Sequence, residues 1–187
     1  PPTRRTVTIV DTDDEAPDGA HDPGEWDDED PDEQDDEGST LTGGTASDIV
    51  GSGGITVLTN GNYVVSSSSW GSTDFGAVTW CSATTGCSGV VSSSNSLVGS
   101  TANDVVGSGG VTALTNGNYV VSSINWDNPS PAIAGVGAVT WGNGTTGTVG
   151  LVSASNSLIG GTANDTVGAG VTALTNGNYV VRSPSWD

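Results

Sequence analysis

Short apolar runs separated by Gly, Ser and Asn recur along most of the chain. In the middle of the sequence they span residues 111–114, 119–122, 137–141 and 150–153, and each is rich in β-branched residues and bounded by turn-forming ones. Such runs are typical of β-strands, and no helical periodicity accompanies them. The pattern predicts an all-β fold with four strands in each recurring unit.

One octapeptide, Leu-Thr-Asn-Gly-Asn-Tyr-Val-Val, occurs three times, at residues 58–65, 114–121 and 174–181. Its tyrosines are 56 and 60 residues apart, and the length differences fall in stretches of Gly, Ser, Pro and Asp, where loops absorb them. Asn-Gly supplies the positive φ angles of a tight hairpin turn. Repetition at this period predicts an array of one supersecondary unit.

Four antiparallel strands in such a unit match the content of a β-propeller blade. The chain then holds a terminal β-strand (1–10), an acidic linker (11–38) and a repeat array (39–187) of about two and a half blades. A β-solenoid is the alternative. Because a propeller usually closes with about four to eight blades, we expect either further repeats or other copies of the chain to pair with exposed strand edges. The isolated chain is then expected to self-associate or to be poorly soluble, whereas a stable monomer would favour the solenoid.

Acidic residues are concentrated in one segment. Of the 22 Asp and Glu residues, 16 lie between Asp11 and Glu37, a stretch with almost no aliphatic side chains. Such composition predicts an extended, solvated linker. Its first carboxylates are the candidate calcium ligands, because Ca²⁺ takes oxygen donors; they are Asp11, Asp13, Asp14 and Glu15. The hypothesis is that calcium shortens and stiffens the linker, and the alternative is a passive spacer.

Several functional classes find no support in the residues. The chain has no Lys and three Arg, so nucleic acid is not expected as a partner. The one histidine, His21, lies in the acidic segment, which leaves the repeats without an imidazole base for Ser or Cys catalysis. Asp48, Asp104 and Asp165 recur once per unit and are expected to accept backbone N–H bonds in turns. No apolar run is long enough to predict membrane insertion.

Cys81 and Cys87 occupy positions that are Gly142 and Thr148 in the next copy. Their joint appearance on either side of one hairpin turn favours a disulfide over two free thiols. A disulfide in turn favours an extracellular or cell-surface location.

Aromatic residues recur at fixed places in each repeat, which favours a role in packing between units. The alternative is a stacking platform for carbohydrate, and the candidates at strand ends are Trp70, Trp126 and Trp186.

The motifs Leu-Thr-Asn-Gly-Asn-Tyr-Val-Val, Gly-Ala-Val-Thr-Trp and Asn-Ser-Leu-Val/Ile-Gly-x-Thr-Ala-x-Asp carry a resemblance that covers residues 39–187. They resemble a repeat family of unassigned function in large bacterial surface and filamentous-haemagglutinin-like proteins. Separately, residues 5–14 resemble the closing strand and acidic end of a Calx-β domain. The repeat resemblance implies cell-surface display and carries no catalytic residues.

We therefore expect a non-catalytic structural or adhesive module of a secreted or surface protein. Its expected partners are further repeats or other copies, with surface glycans as a further possibility. The alternative function is a carbohydrate-binding module that uses the strand-end tryptophans.

Overall fold

A computed structural model describes residues 8–10 and 39–187. The described residues form short β-strands and no helix, and therefore contain no helix long and apolar enough to cross a membrane. The all-β expectation is confirmed. In chain order the strands are β1 (Thr8–Val10), β2 (Thr40–Thr42), β3 (Gly54–Val57), β4 (Tyr63–Ser67), β5 (Ala77–Cys81), β6 (Gly89–Val90), β7 (Ser96–Val98), β8 (Gly110–Ala113), β9 (Tyr119–Ser123), β10 (Asn128–Pro129), β11 (Ala132–Ile133), β12 (Ala138–Gly142), β13 (Gly150–Leu151), β14 (Ser157–Ile159), β15 (Gly170–Ala173) and β16 (Tyr179–Arg182).

Each full repeat folds into a four-stranded antiparallel sheet in which every strand pairs with the next. Unit 1 has the strand order β3–β4–β5–β7, and unit 2 has the equivalent order β8–β9–β12–β14. Unit 3 is the single hairpin β15–β16. The predicted count of four antiparallel strands per repeat is therefore confirmed for units 1 and 2.

The identity of the fourth strand differs from the prediction. The run at 150–153 was expected to close its own sheet, but only β13 is extended there, and it pairs in parallel with β7 of unit 1. The strand that closes unit 2 is β14. Likewise β6 pairs in parallel with β2, which itself pairs in parallel with β1. Strand β13 thus links unit 2 to unit 1, and β6 links unit 1 to the segment that precedes it.

The sheets stack face to face, and the central strands are buried on both faces. Val64 of β4 and Val121 of β9 share one buried cluster between units 1 and 2, while Val120 of β9 belongs to another, between units 2 and 3. A third cluster fills the other side of unit 1 and contains Leu41 and Val65. Because adjacent residues of one strand point to opposite faces, the Val-Val pair of the octapeptide contributes to two cores at once. The described residues show stacked sheets and no closed ring.

Candidate functional site at the contacts between units

The Asn-Gly turns of successive units lie one upon the next. Thr59 Oγ1 donates a hydrogen bond to the carbonyl oxygen of Leu114 at 3.0 Å, and Thr115 Oγ1 does the same to Leu174 at 3.4 Å. Asn116 Nδ2 donates to the carbonyl of Gly177 at 3.1 Å. The polar side chains of the octapeptide therefore form hydrogen bonds with the following repeat.

Glycine at this turn serves two purposes. Gly117 and Gly177 adopt φ angles of 86° and 85°, which favour residues without a Cβ atom. A Cβ atom at Gly117 would also lie 3.1 Å from Asn60 Nδ2, and one at Gly177 would lie 2.7 Å from Asn116 Nδ2. The absence of a side chain thus lets the asparagine of the preceding unit sit directly on the turn. We call this stack of turns the turn ladder.

The carbonyl oxygen of Gly144 joins units 1 and 2 at a second point. It accepts hydrogen bonds from Asn60 Nδ2 at 2.8 Å, from Asn62 Nδ2 at 2.8 Å and from Trp80 Nε1 at 3.0 Å. The amide of Gly144 in turn donates to Asn118 Oδ1 at 3.0 Å. Three donors on one acceptor satisfy polar groups that the contact between the units removes from water.

The repeated aspartates each bind two separate segments of backbone. Asp104 Oδ2 accepts the amides of Ser100 and Thr101, both at 2.8 Å, and its Oδ1 accepts the amide of Asp127 at 2.9 Å. Because Asp127 follows Trp126, this carboxylate ties the turn after one unit's last strand to the loop that carries the next unit's tryptophan.

Asp48 and Asp165 make equivalent contacts, and each also accepts a hydrogen bond from a threonine hydroxyl. Asp48 accepts from the amide of Gly71 at 2.8 Å and from Thr45 Oγ1, also at 2.8 Å. Asp165 accepts from the amide of Asp187 at 3.3 Å and from Thr162 Oγ1 at 2.6 Å. The prediction that these carboxylates accept backbone N–H bonds in turns is confirmed.

The surroundings of the three aspartates shift the pKa values of their carboxyl groups in different directions. Burial dominates at Asp104 and, with the charge of Asp127 nearby, raises its pKa above the ordinary value despite three N–H donors. At Asp48 burial acts in the same direction, but the hydrogen bonds from Thr45 and Gly71 outweigh it and lower the pKa. The Thr162 hydroxyl and amide lower the pKa of Asp165 to about 2, because at this carboxylate the hydrogen bonds outweigh the opposing effect of burial. These differences in pKa follow from local packing and do not identify a catalytic acid and base.

Cys81 and Cys87 form a disulfide, with their Cα atoms 4.7 Å apart. The bond closes the turn after β5, and the Cys81 side chain is buried in the cluster on the N-terminal side of unit 1. The predicted pairing is thus present, and the free-thiol alternative does not hold in this structure.

The three candidate ligand-binding tryptophans lie in three different environments. Trp126 is 0% exposed and packs in the core between units 1 and 2, so its ring offers no face to a sugar. Trp70 is half-buried against the cluster that contains the disulfide. Trp186 is 53% exposed. The structure does not bring the three rings together on one surface.

The candidate calcium ligands Asp11, Asp13, Asp14 and Glu15 lie outside the described residues. Among residues 39–187, no group of three or more His, Cys, Asp or Glu side chains is placed to hold a metal ion. The calcium hypothesis therefore stays a prediction.

Sequence reasoning missed Gly144 and Asn62, two residues that join units 1 and 2 by hydrogen bonds. A signal for Asn62 was available, since the second asparagine of the octapeptide recurs in every copy. No comparable signal marked Gly144, because its role depends on the three-dimensional approach of another unit's turn.

The comparison with known protein families agrees with the division of the chain into repeats. The model described as "Repeat of unknown function (DUF5650)" matches residues 57–108, 113–169 and 173–187. These matches cover more than half of the chain, which belongs to this repeat family. No curated protein and no solved structure matches the chain.

Proposed function

We propose that the chain is a non-catalytic structural or adhesive module of a secreted or cell-surface bacterial protein. The observation that carries the proposal is the way in which consecutive repeats interlock. Strand β13 of one repeat extends the sheet of the preceding one, and the turn ladder joins the same units at a separate place. The motif residues are thus used to hold neighbouring units together, which suits a load-bearing spacer.

The disulfide supports an extracellular location, because such bonds persist in oxidising compartments. Cys81 and Cys87 replace residues that carry no sulfur in the next repeat, so the bond is an addition to a repeat that folds without it. Antibody labelling of intact source cells, with and without surface proteolysis, tests the location. We expect surface signal that protease removes, and signal seen only after lysis would contradict the proposal.

We propose that the stacked units are blades of the β-propeller type. The support is the order of strands: each full unit is an antiparallel sheet whose four strands follow one another across the sheet in chain order, packed face to face with the next unit. In a propeller successive blades rotate about a common axis, whereas in a solenoid-like stack they advance along it. Electron microscopy of a chain extended by further repeats distinguishes a ring from a rod.

Carbohydrate binding is the second candidate function. The observation that favours it is the exposure of two indole rings, 53% for Trp186 and 44% for Trp141. Exposed aromatic rings of this kind can stack on an apolar sugar face. A glycan array probed with the wild-type chain and with Trp186→Ala and Trp141→Ala tests it. Binding that either substitution abolishes would favour this function over a purely structural one.

A further inference from the structure

Two β-branched residues adopt left-handed backbone conformations at equivalent places in the connections between units. Val105 lies between β7 and β8 with a φ angle of 45°, and Thr166 lies between β14 and β15 with a φ angle of 48°. A β-branched residue is an outlier in this region, because its Cβ atom crowds the backbone. Such strain persists only where the surrounding structure imposes it.

In the connection between units 1 and 2, residues 99–109, the loop between β4 and β5 imposes this conformation. Three carbonyl oxygens of that loop accept three amides of the connection. The bonds run from Asn103 to Thr73 at 2.8 Å, from Val105 to Asp74 at 3.0 Å, and from Val106 to Phe75 at 3.0 Å. We call this set of three hydrogen bonds the clamp, because the unit before the connection holds it in place.

The connection between units 2 and 3, residues 160–169, carries an equivalent clamp. Its bonds run from Asn164 to Ala134 at 3.1 Å, from Thr166 to Gly135 at 3.1 Å, and from Val167 to Val136 at 3.0 Å. The accepting loop of unit 2 is longer than that of unit 1 and differs from it in sequence. The clamp therefore depends on backbone geometry and not on particular side chains.

One glycine in each unit allows the connection to approach the loop this closely. A Cβ atom at Gly76 would lie 2.1 Å from the amide nitrogen of Val106, and one at Gly137 would lie 2.3 Å from that of Val167. These neighbours are backbone atoms, so they cannot move aside without breaking the clamp. The first residue of the Gly-Ala-Val-Thr-Trp motif is thus explained by the connection that lies against it.

Residues 43–53, in front of β3, show the same motif in a second conformation. Their β-branched residue is Ile49, which corresponds to Val105 and Thr166 but is not among the described residues with a positive φ angle. The Ile49 amide donates to the carbonyl of Ser69 at 3.2 Å, in the loop of the unit that follows. The motif therefore has two arrangements in this chain, one clamped to the unit before it and one paired with the unit after it.

The aspartate turn is common to both arrangements. Asp48 and Asp104 each accept two amides of their own turn. Each also accepts one amide from the tryptophan loop of the following unit, that of Gly71 for Asp48 and that of Asp127 for Asp104. The two arrangements thus differ next to the aspartate, while the carboxylate keeps the turn anchored to the following unit.

We propose that the connection between units is a two-state joint. The clamp opens without unfolding either sheet, the β-branched residue returns to a negative φ angle, and its amide pairs with the following unit. For Val105 the new acceptor is the carbonyl of Asn125, the counterpart of Ser69. Opening frees the loop of the preceding unit, while the shared core and the turn ladder keep the two units together. The joint makes the array compliant, which goes beyond the proposed function and does not depend on it.

Substitutions at position 105 test the joint, with native-state hydrogen exchange read at single amides by NMR. In the wild type, the amides of Asn103, Val105 and Val106 should open at a lower free energy than those of β9. Val105→Asn should raise protection of the amides at 105 and 106 by roughly tenfold, because asparagine tolerates the left-handed region and favours the clamp.

Two control variants accompany Val105→Asn. Val105→Thr introduces the β-branched residue found at position 166, so it should leave protection within about twofold of the wild type. Ile49→Asn should not raise protection of its own amide, because Ile49 has no positive φ angle to relieve. The half-buried Val105 side chain belongs to none of the buried clusters of the described residues, so both substitutions at 105 leave the cores intact.

A variant with a blocked clamp tests the open state. Gly76→Ala places a methyl group where the connection lies, so the amides at 103, 105 and 106 should lose protection while β9 stays folded. Nuclear Overhauser contacts between residues 105 and 125 should then appear. Gly89→Ala is the matched control, because Gly89 also has a positive φ angle but a Cβ atom there would meet nothing within 4 Å. It should leave the clamp closed.

Four results would overturn the proposal. They are connection amides that open only together with the sheets in the wild type, equal protection in Val105→Asn and Val105→Thr, a clamp that stays closed in Gly76→Ala, and loss of the sheets in that variant. The measurements do not depend on where the protein is located. A failed surface-labelling experiment would therefore reject the proposed function and leave the joint unaffected.

Discussion

Units 1 and 2 stabilise the same hairpin in two different ways. In unit 2 the residue opposite Tyr119 on the neighbouring strand is Gly142, and the tyrosine ring lies directly over it. In unit 1 the equivalent pair is Tyr63 and Cys81, and the cysteine is bonded to Cys87. Tyr119 is 1% exposed, whereas Tyr63 is half-buried. The same turn therefore carries an aromatic ring over a glycine in unit 2 and a covalent bond in unit 1.

The geometry explains why the two solutions exclude each other. A Cβ atom at Gly142 would lie 2.1 Å from Cζ of Tyr119, far inside contact distance. A cysteine at this position is therefore incompatible with the ring position that Tyr119 adopts. Unit 1 thus carries a crosslink where unit 2 carries buried aromatic surface.

The largest expected difference in the free energy of unfolding is between alanine substitutions of Tyr119 and Tyr63. Tyr119→Ala should lower the free energy of unfolding by about 3–5 kcal/mol, as for other large aromatic side chains removed from a core. Tyr63→Ala should cost roughly half as much, because that side chain is only partly buried. Chemical denaturation of both variants measures the values, and equal losses would contradict the exchange of roles.

Tyr119→Phe serves as the control for lost packing. The Tyr119 hydroxyl is buried without a well-formed hydrogen bond, although Thr148 lies close enough to offset part of the burial that raises the Tyr119 pKa. Removing an unsatisfied buried hydroxyl should be neutral or stabilising.

The next prediction concerns the glycine under the ring. Gly142→Ala should destabilise the protein by about 1–3 kcal/mol, because the added methyl group overpacks a filled space. Gly161→Ala is the matched control, since a Cβ atom there would meet nothing within 4 Å. Thermal melts of the two variants decide the point, and similar melting temperatures would show that the ring moves without cost.

Reducing the disulfide should have a smaller effect. The crosslink spans a sequence separation of 6, and a short loop restricts the unfolded chain less than a long one. We expect a loss below the roughly 2–4 kcal/mol typical of disulfides. Denaturation with and without reductant measures it, with Cys81→Ser/Cys87→Ser as the comparison. A loss above that range would mean that unit 1 depends on the bond for its fold.

These contrasts indicate how far the sequence specifies the fold. The Asn-Gly turns, the disulfide and the hydrogen bonds of the repeated aspartates within their own turns could be predicted because each depends on chemistry within a few residues. The partner of β13 could not, because a two-residue strand carries no pattern that distinguishes its own sheet from the preceding one. The same limit applies to the tryptophans, since identical motif positions give a buried Trp126 and an exposed Trp186 according to the units that pack around them.

The smallest expected effect is the dependence of stability on pH. The pKa of Asp165 is lowered to about 2, so its contribution is present above the ordinary value of 3.8 and is lost as the pH falls towards about 2; Asp48 acts in the same direction. Because the pKa of Asp104 is raised, its contribution to stability has the opposite pH dependence: it is present at low pH and is lost as the pH rises through that pKa.

Two substitutions separate these contributions. Asp165→Asn should flatten the loss of stability in acid, whereas Asp104→Asn should leave that loss in place. Melting temperatures measured from neutral pH down to acid give both slopes. Equal slopes in the two variants would contradict the assigned directions.

The central claim is that units 1 and 2 form one cooperative body through their shared core, the added strand β13 and the turn ladder. Native-state hydrogen exchange tests it most directly, because it measures the free energy at which each strand opens. We expect the amides of β4 and β5 in unit 1 and those of β9 and β12 in unit 2 to open at the same free energy. We also expect Val64→Ala in unit 1 to lower protection in both units equally. Loss of protection confined to unit 1, with unit 2 unchanged, would show that the repeats fold independently and would contradict the claim.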